Sequence, residues 1–266
     1  MAPPHARNVV SGRSATAVVI AWVIALCGCG AFEFCAALPV RAAEPVRNIE
    51  AQRRQFTISV DGTNRGTCTM QIRRRSDGTT WMRSEAEIRI NYLVYRYNYT
   101  SSGTEVWKNG RLLGMKNVSD YNGTQYQVKA AATAKSLEVT VDGTVSKVPP
   151  DAWLSSYWQS PERLAEGELA DRTAGETSAA TDRDANGVRL LSIVDSDQGR
   201  LIRGKLVRVR DETLNVAGEQ KACSHYHITG DVNVDLWYDA SGRMVQQESV
   251  ERRHKVRFEL TEIAAE

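Results

Sequence analysis

With 34 Lys and Arg against 32 Asp and Glu among its 266 residues, the chain carries a formal charge of only +2. The basic excess sits in residues 1–43, where Arg7, Arg13 and Arg41 face only Glu33; beyond them 31 basic and 31 acidic side chains balance. A neutral body with no basic stripe gives no electrostatic footprint for nucleic acid, and no phosphate loop or dinucleotide fingerprint occurs.

The first element is a leader. Residues 1–17 hold Arg7 and Arg13 and no acid, then "TAVVIAWVIALCGCGAFEFCAALPV" is apolar almost throughout, and the small pair Ala42–Ala43 follows. That order describes a secretory signal peptide over 1–43, followed by a single domain over 44–266 in the periplasm or outside the cell. The rivals are an uncleaved N-terminal anchor and lipidation at "LCGC", which ends at Cys29. No later apolar run reaches about 18 residues, so no membrane span is expected once the signal is removed.

Next comes a series of short alternating runs cut by turn dipeptides: Asp61-Gly62, Asp77-Gly78, Asn109-Gly110, Asn122-Gly123, Asp142-Gly143, Gln198-Gly199, Ala217-Gly218 and Ser241-Gly242. Asn-Gly and Asp-Gly supply the positive φ angles of tight hairpins. Between them Phe56, Ile58 and Val60 share a face, as do Ala86, Ile88 and Ile90, then Leu137, Val139 and Val141, and finally Val256, Phe258 and Leu260. Period two predicts roughly ten to twelve antiparallel strands in one all-β, curved sheet: a barrel, half-barrel or sandwich. In "AEIRINYLVYRYNYT" the apolar phase slips after Tyr92, which predicts a bulge or tight bend near 91–93.

Two segments break this rhythm. "PPDAWLSSYWQSP" (149–161) reads as one short helix capped by Asp151, with Trp153 meeting Tyr157 and Leu154 meeting Trp158. Residues 162–187 are small, polar and charged, and are expected to form a mobile insert.

The candidate sites follow in order. Tyr95, Tyr97 and Tyr99 form a row open to a ligand or to cross-strand packing. Cys68 shares the phase of Met70 and Ile72 and should face the core. Cys223 is out of step with Tyr226 and Ile228 and should face outward, so a disulfide between them would need a bulge or a strand end. His225 and His227 share a face about 7 Å apart, near enough for one metal ion but short of a full ligand set. In "GDVNVDLWYDASGRMV", Asp231, Asp235, Trp237 and Asp239 share one side, and "DASG" reads as a turn. Carboxylates four apart on a strand stand about 13 Å apart, too far for a glycosidase pair at about 5–9.5 Å. Trp237 could instead stack on a sugar. No G-x-S-x-G occurs, and no cofactor is expected.

Taken together, "VDG" at 60–62, "WKNGRLL" at 107–113, "SYWQSP" at 156–161, "ITGDVNVDLWYDASGRMV" at 228–245 and "VRFEL" at 256–260 resemble an uncharacterised bacterial family of exported proteins, a domain of unknown function. It is similar in style to envelope proteins with a lipoprotein-carrier-like curved sheet. The family pattern has Asn-Pro after Ser-Tyr-Trp; here Gln159 and Ser160 precede Pro161. The resemblance implies no catalytic residue. The leading expectation is an exported carrier that holds a lipid or other amphipathic ligand, with Trp153, Tyr157, Trp158, Tyr95, Tyr97 and Trp237 around it. The alternatives are a glycan-directed hydrolase using Asp235 or Asp239, and a structural module that binds another envelope protein.

Overall fold

The computed structural model describes residues 46–266, apart from 93–94, 163–187 and 252. Signal residues 1–43 and nearly all of the expected insert lie outside the described residues.

Among the described residues fifteen strands join in one sheet. They are β1 (Asn48–Val60), β2 (Thr63–Arg75), β3 (Thr79–Tyr92), β4 (Tyr95–Lys108), β5 (Arg111–Tyr121), β6 (Thr124–Ala132), β7 (Leu137–Val141) and β8 (Thr144–Val148), then β9 (Trp153–Leu154), β10 (Arg189–Val194), β11 (Leu201–Val216), β12 (Glu219–Gly230), β13 (Val234–Asp239), β14 (Met244–Glu251) and β15 (His254–Ala265). Apart from β8 and β9, sequence neighbours are sheet neighbours, and β1 also pairs with β15, from Gln52↔Ala265 to Val60↔Val256. The meander therefore bites its own tail, and its two edges fall in mid-chain, at β8 and β9.

The turn dipeptides explain this regularity. At Asp61–Gly62, Asn109–Gly110, Asn122–Gly123, Asp142–Gly143 and Ala217–Gly218 both central residues have positive φ. That is the type I′ pattern, whose twist matches that of the flanking strands. Alternation then fills the interior: Phe56, Ile58, Ile72, Val128, Val139, Ile228 and Leu236 are all fully buried. Each such side chain contributes about 2 kcal/mol relative to exposure.

Three expectations need correction or narrowing. Of the bulge or tight bend expected at 91–93, the structure has the bend, and it is a full hairpin: Tyr92 pairs with Tyr95 across antiparallel strands. That extra reversal and the two-residue β9 account for two of the three strands beyond twelve. Residues 151–158 are not helical. Trp153 and Leu154 pair in parallel with Ile193 and Val194 of β10, the Ser155 N–H donates to the Val194 carbonyl at 3.0 Å, and Tyr157 has φ +46°. An open strand edge offered these backbone groups partners across the sheet, and pairing there won over a lone helical turn.

Because the strands alternate in direction, the turns fall on two rims. The first rim carries residues 46–47, the turns at 76–78, 109–110 and 217–218, and the linker 149–152. The second carries 61–62, 122–123, 142–143 and the 195–200 loop.

Candidate functional site

The inward face is not uniformly apolar. Gln52 and Arg54 follow the phase of Phe56, Glu105 that of Trp107, and Asn117 and Ser119 that of Met115, and all five polar side chains are buried. A buried polar group needs a partner, and two inserted segments supply them.

At the first rim the segment 149–162 adds β9 to the edge of β10 and then turns inward to meet β1, β4 and β13. Trp153, Leu154, Tyr157 and Trp158 are each at most 5% exposed. The Trp158 and Trp107 indole N–H groups both donate to Glu105 Oε2, at 2.9 and 2.7 Å. Arg54 donates from Nη1 to the Trp158 carbonyl at 2.8 Å and from Nε to Gln52 at 3.0 Å. Desolvation pulls this guanidinium down to about 9, with Arg243 adding to the effect. Burial likewise pushes the Glu105 carboxyl above its ordinary value, against the hydrogen bonds of the two indoles. A carboxyl raised on folding favours the folded state below its unfolded pKa, and that contribution is lost as pH rises through the folded value. Glu105→Gln removes the titration. The melting-temperature advantage of the native protein over this variant should therefore shrink as pH is raised from the acid range to neutrality, read by thermal denaturation.

At the second rim the loop 195–200 reaches inward and presents Asp197. Its carboxylate accepts from Tyr99 (2.6 Å), Ser101 (2.7 Å), Asn117 Nδ2 (2.8 Å) and Tyr121 (2.9 Å), while its carbonyl accepts from Ser119. Gly199 (φ +69°) lets the loop lie flat, since a Cβ there would come within 2.3 Å of Val141. Burial first, and Asp197 second, push the Tyr99 and Tyr121 hydroxyls upward, so both stay protonated donors.

The two insertions fill the sheet. The cavity beside the first plug, lined by Trp107, Leu112, Trp153 and Leu191 among others, measures about 30 Å³. That is far below the roughly 300–1,000 Å³ of small-molecule sites. The expected aromatic cradle is therefore core: Trp153 packs edge-on against Tyr157 at 5.1 Å, and Tyr97 is part of the packing. The Tyr95 side chain lies outside the described residues.

A second polar group occupies β11–β13. His225 Nε2 and His227 Nδ1 both meet Asp235 Oδ1, at 2.7 and 2.9 Å. The His225 ring stacks on Trp237 at 4.4 Å, and the Trp237 N–H donates to Glu212 at 2.5 Å, which holds that carboxyl below its ordinary value. The two histidines thus share one carboxylate. No group of three His, Cys, Asp or Glu is placed for a metal among the described residues. Cys223 pairs across to Asp239 and Glu212, so it has the outward phase expected of it, yet it is buried. Burial raises its thiol and that of Cys68, the latter to about 12, so neither is a ready nucleophile. Both cysteines are free: β1, β15, β14 and β13 stand between their strands. Asp239 closes its turn, bonded to Ser241 and Arg243. Burial pushes its carboxyl up, but those bonds outweigh it and keep the carboxyl ionised.

A larger concavity of about 350 Å³ lies where the tip of the β11–β12 hairpin meets β14 and β15. Asn215, Gln246, Glu259 and Thr261 give it polar walls, half-buried Leu214 an apolar one, and Val216, Val245 and Leu260 lie buried behind. Trp237 pairs directly with Gln246.

Sequence comparison adds a family. A domain of unknown function, DUF6134, matches residues 56–261. The chain belongs to that family. The match spans both plugs and every candidate residue from Phe56 onward. No curated protein matches the chain. Among solved structures it is similar to a β-barrel-like protein of another domain of unknown function, DUF1849, from Brucella abortus. The TM-score is 0.56 at 9% identity, covering 83% of this chain and 99% of that one. At that identity the likeness is one of fold, and it agrees with the curved antiparallel sheet. Among the described residues no helix is long and apolar enough to cross a membrane.

Proposed function

We propose that this member of the family is an exported binding protein that takes a small amphipathic ligand at the hairpin cleft and not inside the sheet. The observation that carries this reading is the contrast in space: about 30 Å³ beside the plug against about 350 Å³ in the cleft. Polar walls of Asn215, Gln246, Glu259 and Thr261 around half-buried Leu214 suit a ligand with a polar head and a short hydrocarbon part. The leader-like residues 1–43 support an exported setting. The carboxylates of the hydrolase reading are committed elsewhere, Asp235 to two imidazoles and Asp239 to its turn.

Titration with lauric acid tests the proposal, followed by the fluorescence of Trp237. Saturable binding is expected, with a loss of about tenfold in affinity for Leu214→Glu. An absence of binding, or equal binding by the variant, would overturn the cleft reading.

A further inference from the structure

We propose that the first rim, over the sector β1–β5, docks on an anionic bilayer surface. This does not depend on the hairpin cleft, which lies on other strands.

Hydrogen bonds tie the sector into one ledge. The Arg47 N–H donates to Ser76 Oγ and the Ser76 N–H to the Arg47 carbonyl; the Asn109 N–H donates to the Gly78 carbonyl at 3.3 Å. The residues that lead into β1 and two turns thus form a continuous surface. Arg47, Arg73, Arg75 and Lys108 stand exposed there, with Arg74 beside them. Three carboxylates oppose these five: Glu50 pairs with Arg74 and Glu266 with Arg73, and Asp77 feels Lys108 and Arg75 through space, behind its stronger bond from Thr79. The ledge therefore remains net positive although the body as a whole is neutral.

Just below the charges lie outward apolar side chains: Ile49 (67% exposed), Trp81 (46%) and Leu113 (43%). Trp81 pairs with Val106 on one side and Arg73 on the other. It is the one aromatic among the large exposed apolar side chains of the described residues. Tryptophan with aliphatic neighbours under a basic fringe is the composition that settles at the headgroup level of a membrane. The described residues begin on this same ledge, at Val46. In the sequence the apolar run 16–40 ends only residues 41–45 short of Val46. Five residues span at most about 18 Å, so that run, if kept in a membrane, holds Val46 near the surface.

The test uses the protein as cells make it, with or without the leader, and vesicles of phosphatidylcholine alone or mixed with phosphatidylglycerol. Some of the phosphatidylcholine carries brominated chains. The quenching lost between native protein and Trp81→Phe isolates Trp81. Quenching of that component is expected on the mixed vesicles only, falling with added salt. It should weaken at least about tenfold in Arg47→Glu/Lys108→Glu, since each basic side chain near an anionic surface contributes about fivefold. A Trp81 signal blind to lipid, one equal on neutral vesicles, or a protein partner that shields Trp81 while vesicles do not, would each overturn the proposal. Cleft binding of lauric acid reads Trp237 and stays unaffected by these variants.

Discussion

Trp158→Ala is expected to cost about 4 kcal/mol of unfolding free energy, in the range of fully buried aromatic truncations. The indole is 2% exposed and lies edge-on to Trp107, with ring centroids 6.4 Å apart. Its removal leaves a hole where the plug meets the wall and takes one of two indole donors from buried Glu105. Trp158→Phe keeps much of the volume and loses the donor, so it should fall between the two. Urea denaturation of the three proteins gives the order. A loss below about 1 kcal/mol for the alanine variant would mean that the plug is a surface flap and not part of the core.

Asp197→Ala should rank next, at about 3 kcal/mol. A charged acceptor contributes about 1.5–3 kcal/mol per bond before relaxation, and four side chains lose theirs together. The loop is half-buried, so water can reach some of the freed donors and keeps the sum well below additive. Asp197→Asn retains an acceptor oxygen but adds an amide facing the donors Tyr99, Tyr121 and Asn117, so it should still lose about half. Amide exchange at 195–200 reports the release directly: faster exchange is expected there, with β1 and β2 unchanged.

Much of the fold was legible because local chemistry specified it. A glycine dipeptide fixes a hairpin without reference to anything distant, and Phe56–Ile58–Val60 declares its inward face by alternation alone. The misreadings have the same root. The shift of phase after Tyr92 has two local causes, a bulge or a reversal, and only the partner strand distinguishes them. "AWLSSYW" has helical spacing, but the edge of β10, some forty residues later, offered it a sheet partner. The candidate site was least legible. Asp197 meets β4 and β5 across some eighty to a hundred residues, and nothing near it in sequence announces that role. A usable signal did exist in Arg54, Glu105, Asn117 and Ser119. Polar residues locked in the phase of a core stripe mark where a second layer must arrive with partners, and that rule would have pointed to both plugs.

The pairing of β1 with β15 bears on how such a molecule can be made. Strand β1 stays half-satisfied while a ribosome adds everything from β2 to β14, and only β15 supplies the missing ladder. Contacts so remote in order make for slow maturation. A nascent chain halted a few residues early would keep a bare, sticky edge at both its oldest and its newest strand.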